Sequence, residues 1–402
     1  MKYKYIVALS FLTFMSLGSC GEDFLYKAPQ GSVDENALTN ANGVDLLVTN
    51  TYANLTENDW GASVFNWTFG GMYGGDANKG SDANDQSVLN TMELYTTLAS
   101  NGYIDQKWRW VYKGVKRANK AIQVMANVTD MPEAVRKSRT GELKFLRALF
   151  YFEGIKVFGP FIPWVDEAIT ENNPLIHNDK DIYSNVLADL DDAITNLPNT
   201  QDTPGRVNVW AAKALKAKIL MQKGDMAAAK PILKDVIENG KTSNGLAYGL
   251  EDDLDANFSS YTDNGKESIF AVQFSVDTNN NGNVGMSLCY PHGGSGAPGG
   301  CCGFYQPSNE LANSFKVDAN GLPLLDNSYR NGDPVSYRNP STVASAPLAL
   351  NNNEIPVDPR LDFAIGRFGI PYKDWGTPKN SWVRDAANGG IYLPIKQVYS
   401  KA

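Results

Sequence analysis

The chain has 402 residues, 43% of them hydrophobic, which is ample for a large buried core and leaves room for two or three domains or one big one. Aromatic residues at 11% exclude a disordered chain, and 36 Gly and 20 Pro without a period exclude collagen-like and coiled-coil classes. A net charge of −8 argues against nucleic acid bound on a basic face, and 2 His leave little for His-based catalysis or a His-rich metal site.

Residues 1–19 have the layout of a secretory signal peptide. Lys2 and Lys4 precede an uncharged, mostly apolar stretch from Tyr5 to Met15, too short to span a bilayer. Leu17-Gly18-Ser19-Cys20 resembles a bacterial lipobox, in which the small residues admit the peptidase and the Cys thiol accepts a diacylglycerol. Cys20 is therefore the expected lipidation site. Loss of Lys2 and Lys4 with the leader makes the mature chain more acidic still, so anchoring falls to the lipid instead of to charge.

Helical periodicity follows. Residues 104–126 place Trp108, Tyr112, Val115, Ala118, Ile122 and Met125 on one apolar stripe. Residues 132–158 are apolar almost all round, which predicts a central helix with Asp130 as cap, Pro132 in the first turn and Gly159-Pro160 as the stop. Residues 181–196 carry Ile182, Val186, Leu190, Ala193 and Ile194 on one side, and the Asp189, Asp191, Asp192 group reads as a solvated face. Residues 207–238 read as one tetratricopeptide-like hairpin turning at Gly224-Asp225. After Gly240 the character changes: residues 268–276 alternate as a strand would, and from 277 onward long loops rich in Asn, Gly, Pro and isolated aromatics dominate.

Most chemical motifs fail on inspection. Gly294-Ser295-Gly296-Ala297-Pro298-Gly299 matches G-x-G-x-x-G, but no helix opens after it and Pro298 lacks an N–H for a phosphate. Gly240-Lys241-Thr242 ends a helix, and Asp235 stands where a P-loop needs Gly. Cys289, His292, Cys301 and Cys302 make a poor zinc set, because adjacent Cys residues rarely ligate one tetrahedral ion. Three late thiols cannot all pair, and Cys289 with Cys301 or Cys302 stays open. His177 and His292 lie in polar and Gly-rich linkers, so no nucleophile triad has a base, and no carboxylate pair is singled out among 44 acids.

The positive signal is aromatic. Trp60, Trp67, Phe69 and Tyr73 flank the Gly-rich run 66–82, and Tyr290, Phe304, Tyr305, Tyr372, Trp375 and Trp382 lie among the later loops. A sugar ring offers apolar C–H faces and a rim of hydroxyls, so aromatic faces beside Asp, Asn, Lys or Arg suit a glycan, each stack being worth about 1 kcal/mol. The candidate ligand contacts are Trp60, Trp67, Tyr73, Asp76, Lys79, Tyr290, Tyr305, Trp375 and Trp382. No catalytic residue, metal or cofactor is expected.

A set of short motifs adds to this. Asp23-Phe24-Leu25 with Pro29 follows Cys20, and Asp76 to Asp82 reads D-x-x-x-G-S-D. Glu142 to Ala148 with Tyr151-Phe152 reads E-x-x-F-L-R-A-x-x-Y-F, and Gly159-Pro160-Phe161-Ile162-Pro163 follows it. Gly205-Arg206 precedes Ala211-Ala212-Lys213-Ala214-Leu215, and Glu267-Ser268-Ile269-Phe270 and Asp358-Pro359-Arg360 come later. In order and spacing the set resembles the SusD-like (RagB/SusD) outer-membrane lipoproteins of Bacteroidetes. The resemblance implies a mainly α fold, a superhelix of tetratricopeptide-like hairpins with a loop-rich, little-β binding region. It implies a surface-exposed, lipid-anchored protein that caps a SusC-like TonB-dependent β-barrel and hands it glycans, less often peptides, without being an enzyme. The expected division is a signal peptide over 1–19, a helical region over 20–240 and a loop-rich ligand-binding region over 241–402. The family's later helix, reading roughly R-x-A-[DE]-V-L-L-x-x-A-E-A, has no counterpart before residue 402, so the closing helices are expected to be missing. The alternatives are a scaffold that binds only protein or peptide partners and a surface glycoside hydrolase.

Overall fold

The computed structural model describes residues 35–56, 67–169, 175–259, 261–274, 289–294, 296–332, 335, 356–396, 398, 400 and 401. Cys20 and Trp60 lie outside them. In chain order come α1 (Glu35–Leu38), α2 (Ala41–Ala53), β1 (Ala77–Gly80), α3 (Val88–Glu93), α4 (Gly102–Ala126), α5 (Glu133–Phe158), α6 (Tyr183–Asn196), α7 (Val209–Lys223) and α8 (Met226–Asn239). The later half holds β2 (Phe304–Pro307), α9 (Asn309–Ser314), α10 (Leu361–Ala364), β3 (Ile365–Gly366), α11 (Ala386–Gly389) and β4 (Leu393–Pro394). The fold is mainly α, as the resemblance implies, and the helices read from periodicity over 104–238 are present.

The helix ends follow local chemistry. Asn40, Asn101, Asn208 and Asp225 each accept a backbone N–H at the start of a helix, replacing partners that the first turn lacks. Gly224 ends α7 at φ +91°, a conformation that costs a side-chain-bearing residue steric strain. Asp130, expected to cap α5, instead accepts the N–H of Ala41 at 3.0 Å, and Pro132 stands at the cap.

Helices α4 to α8 pack each on the next, with α2 against α4 and α5. Residues 141–155 of α5 are buried except Lys144, so α5 is the axis of the core. Gly114 lets α4 approach α5: a Cβ there would stand 2.5 Å from the Phe150 ring.

Buried ion pairs tie this axis to its neighbours, among them Lys107 of α4 with Glu153 of α5 and two larger systems. Glu142, fully buried, accepts from Arg206 at 2.9 and 3.1 Å, from Arg139 at 2.8 Å and from the Tyr52 hydroxyl at 2.8 Å. Arg147 grips Asp189 with two bonds of 2.6 and 2.7 Å, and also meets Asn119, Glu167 and the face of Trp164. The Glu of E-x-x-F-L-R-A is thus the partner of the Arg of G-R, and the motif's own Arg holds α6. Asp189 is 3% exposed. It therefore corrects the solvated-face reading, which holds for Asp191 and Asp192 alone.

The expected strand over 268–276 does not form within its described part, 268–274. Phe270 and Val272 instead lay their side chains on the helical core, with Phe270 edge-on to Phe145 at 5.2 Å. The alternation records one side facing helices; no ladder partner stands beside it among the described residues. Among the described residues the regular β structure is two small antiparallel pairs. β1 pairs with β2 in the register Ala77↔Pro307, Asn78↔Gln306 and Gly80↔Phe304, and β3 pairs with β4 as Ile365↔Pro394.

Candidate functional site

The β1–β2 pair brings the two aromatic sets of the sequence together. Trp67, Tyr73 and Tyr305 share one apolar cluster with Phe304, while Tyr290, Trp375 and Trp382 share another with Tyr372. The two meet where the N–H of His292 donates to the carbonyl of Trp382 at 2.7 Å.

Three of the candidate contacts are interior. Trp67 lies edge-on to Phe304 and Tyr305 at 6.0 and 5.9 Å, and Trp382 lies edge-on to Tyr372 at 5.6 Å. Both indoles are buried. Lys79 is fully buried and donates to the carbonyls of Asp82 and Asp85 at 2.7 Å each, and burial pulls its pKa down. These three hold loops in place and offer no face to a ligand. Asp76 is exposed, and partial burial of its carboxyl raises its pKa. Tyr73, Tyr290, Tyr305 and Trp375 are half-buried.

The run Asp76 to Asp82 is a clamp. Arg384 donates to Asp82 at 2.6 Å, to Asp85 at 2.8 Å and to the Ser81 hydroxyl at 2.8 Å. Asn388 donates to the Gly80 carbonyl, and Asn78 donates to the Gly389 carbonyl. Gly80, at φ +79°, allows the close crossing: a Cβ would stand 2.3 Å from the Gly303 carbonyl. The motif binds the two ends of the fold to each other.

The exposed aromatic surface lies beside it. Tyr95 is 65% exposed, sits at φ +56° and stands edge-on to Tyr73 at 5.5 Å. Its hydroxyl donates to the Tyr73 carbonyl at 2.9 Å, and the Tyr73 hydroxyl donates to Thr97 at 2.8 Å. A left-handed Tyr costs strain, and such residues concentrate at functional sites. Tyr73 also lines a pocket of about 240 Å³ with Phe69, Ile104, Lys156, Val157 and Phe158. Beyond it Phe158 meets Trp108 at 5.1 Å, and Trp108 is 36% exposed. Beneath, the Lys107 ammonium lies 5.9 Å from the Phe69 ring centroid and 3.4 Å from Glu153, and burial lowers its pKa to about 8. Lys156 reaches the same carboxylate at 2.5 Å. Aromatic rings, the Tyr73 and Tyr95 hydroxyls and the Lys156 ammonium thus lie close together on and around this pocket.

Tyr95, Phe158 and the exposed edge of Trp108 were not among the expected contacts. The signal for Tyr95 is in the sequence: Leu94, Tyr95 and Leu98 are large apolar residues inside a Thr-, Ser- and Asn-rich loop, and all three are exposed. The structure joins Cys301 to Cys302, so neither pairs with Cys289, whose buried thiol has a raised pKa. Among the described residues no group of three His, Cys, Asp or Glu is placed to hold a metal ion.

Comparison with known proteins assigns the fold to a family. A family model described as starch-binding and associating with the outer membrane matches residues 23–221, and a SusD family model matches residues 266–396. The chain belongs to the SusD-like family. A SusD-like protein of Bacteroides ovatus is 24% identical over 290 residues, which cover 68% of this chain and 50% of that protein. SusD-like protein P2 of Formosa agariphila is 24% identical over 280 residues, covering 68% and 53%. This SusD-like chain spans about half the length of the curated relatives it matches. Among solved structures, a laminarin binding SusD-like protein superposes with a TM-score of 0.63 at 19% identity, covering 89% of this chain and 72% of that one. Surface glycan-binding protein A of Bacteroides thetaiotaomicron, in complex with laminarihexaose, gives 0.59 at 19% identity, covering 90% and 71%. At these identities the superpositions establish the SusD-like fold.

Proposed function

We propose that this SusD-like protein is a cell-surface lipoprotein, held by a lipid on Cys20, that captures an oligosaccharide or polysaccharide and passes it to a SusC-like TonB-dependent barrel. The observation that carries the reading is the Tyr95–Tyr73 pair continuing into the pocket of Phe69, Ile104 and Phe158. It is an exposed aromatic track with hydroxyl and ammonium groups along it, and it needs no catalytic residue. Asp76, Tyr290, Tyr305 and Trp375 remain contacts of the proposal, since each keeps part of its surface open. Family membership and the glycan-binding neighbours support the ligand class.

A glycan array probed with the folded protein tests the reading. Retention on one class of glycan is expected, with the signal reduced in Tyr95→Ala. A folded sample that binds no glycan, yet co-purifies with a barrel, would favour the scaffold reading. Fractionation of cells making Cys20→Ala tests the anchor: the wild type is expected in the outer-membrane fraction, and the variant outside it.

A further inference from the structure

We infer a second sugar subsite, for a neutral residue of the same polymer, in the pocket between the 3₁₀ turn Leu254–Phe258 and the chain around Lys373. The inference rests on the glycan-binding reading. The pocket holds about 360 Å³ and is lined by Asp253, Asp255, Phe258, Tyr261, Thr262 and Lys373, among others. It shares no lining residue with the Tyr73 pocket.

Its walls are fixed from both sides. Asp253 accepts the N–H of Asp255 at 3.0 Å, and the Thr262 hydroxyl donates to the Ala256 carbonyl at 2.5 Å, so the loop is closed on itself. The Lys396 ammonium lies 4.9 Å from the Phe258 ring centroid and pins that ring to the end of the chain. Opposite, Asp374 accepts the N–H of Lys401 at 2.8 and 2.9 Å, while the Lys401 ammonium covers Trp375 at 4.9 Å. Lys373 sits between them at φ +49°, a left-handed conformation that an L-residue adopts at a cost and that packed surroundings must hold.

The lining chemistry names the occupant. Tyr261, 79% exposed, offers an open ring face at the mouth. Asp255, Thr262 and Lys373 supply acceptors and donors at the rim. Asp253 and Asp255 face Lys373 in the lining and Lys396 at Phe258, so the pocket carries no excess of positive charge to hold a uronate or a sulfated sugar and admits neutral hydroxylated rings. A second weak subsite on the same molecule raises retention of a long polymer without changing capture of a short one, because the second contact becomes intramolecular.

Affinity electrophoresis in laminarin, amylopectin and a uronate polymer, beside calorimetry with laminarihexaose and maltohexaose, tests this. Tyr261→Ala and the shape-conserving Asp255→Asn alter exposed or half-exposed side chains, and unchanged circular dichroism checks that each folds. Expected is retention by a neutral polymer that falls at least threefold in either variant, with hexaose affinity within twofold of wild type. Unchanged polymer retention in both variants overturns the second subsite and leaves the proposed function standing. So does retention by the uronate polymer alone. Absence of retention by either neutral polymer in the wild type overturns the second subsite, whereas the proposed function falls only where the glycan array shows no binding at all.

Discussion

At the scale of the residue, burial decides what a side chain does, and residue type alone does not reveal burial. Trp67, Lys79 and Trp382 have the chemistry of sugar contacts yet lie inside the fold, while Tyr95 is exposed in a loop. Asp189 shows the same limit for charge. Its partner Arg147 is 42 positions earlier, beyond the reach of any helical period. Asp189→Ala leaves a buried guanidinium without its two-bond partner, and is expected to destabilise the protein by about 3–5 kcal/mol in chemical denaturation. Asp192→Ala, on the exposed side of α6, is expected to change stability by less than about 0.5 kcal/mol. Lys107 gives a pH signature. Its folded pKa of about 8 is below its ordinary value of 10.5, so the folded state binds fewer protons between these values. Stability from this group therefore rises as pH climbs from about 8 toward 10.5, and the penalty is complete below 8. The difference in unfolding free energy between wild type and Lys107→Met is expected to shift in favour of wild type across that window. A pH-independent difference would contradict it.

At the scale of the element, α4 and α6 were legible from a 3.6-residue apolar period, α5 from a run apolar almost all round between Pro132 and Gly159, and α7 and α8 from the turn at Gly224-Asp225. The strand expected over 268–276 was not, because a chain lying on helices alternates as a strand does. The β1–β2 pair was invisible for another reason: its halves are far apart in sequence, and its register rests on Gly80 and on contacts from Arg384 and Asn388. Gly80→Val forces a branched Cβ into the Gly303 carbonyl at positive φ. It is expected to lower stability by at least about 2 kcal/mol and to open the residue 304–306 amides to hydrogen exchange. Arg384→Ala is expected to act in the same direction more weakly, since its side chain is partly exposed.

At the scale of the whole molecule, one helical axis carries a later half made of short pairs and turns, and the two are joined through the clamp at Asp76 to Asp82. The motif order along the chain made the family legible, and two of the motifs prove to be structural partners: Glu142 of one pairs with Arg206 of another, and Asp76 to Asp82 forms a chain crossing. The position of the proposed glycan surface was less legible, because it is assembled from the loop at Tyr95, α4 and the end of α5, none of which reads as a binding element alone. The most direct test of the account is calorimetric titration of the folded protein and its Tyr95→Ala variant with the hexaose of whichever neutral glycan the array selects. Loss of one aromatic stack is worth about 1 kcal/mol, so the variant is predicted to bind about fivefold more weakly at an unchanged melting temperature. Equal affinities of the two proteins would contradict it.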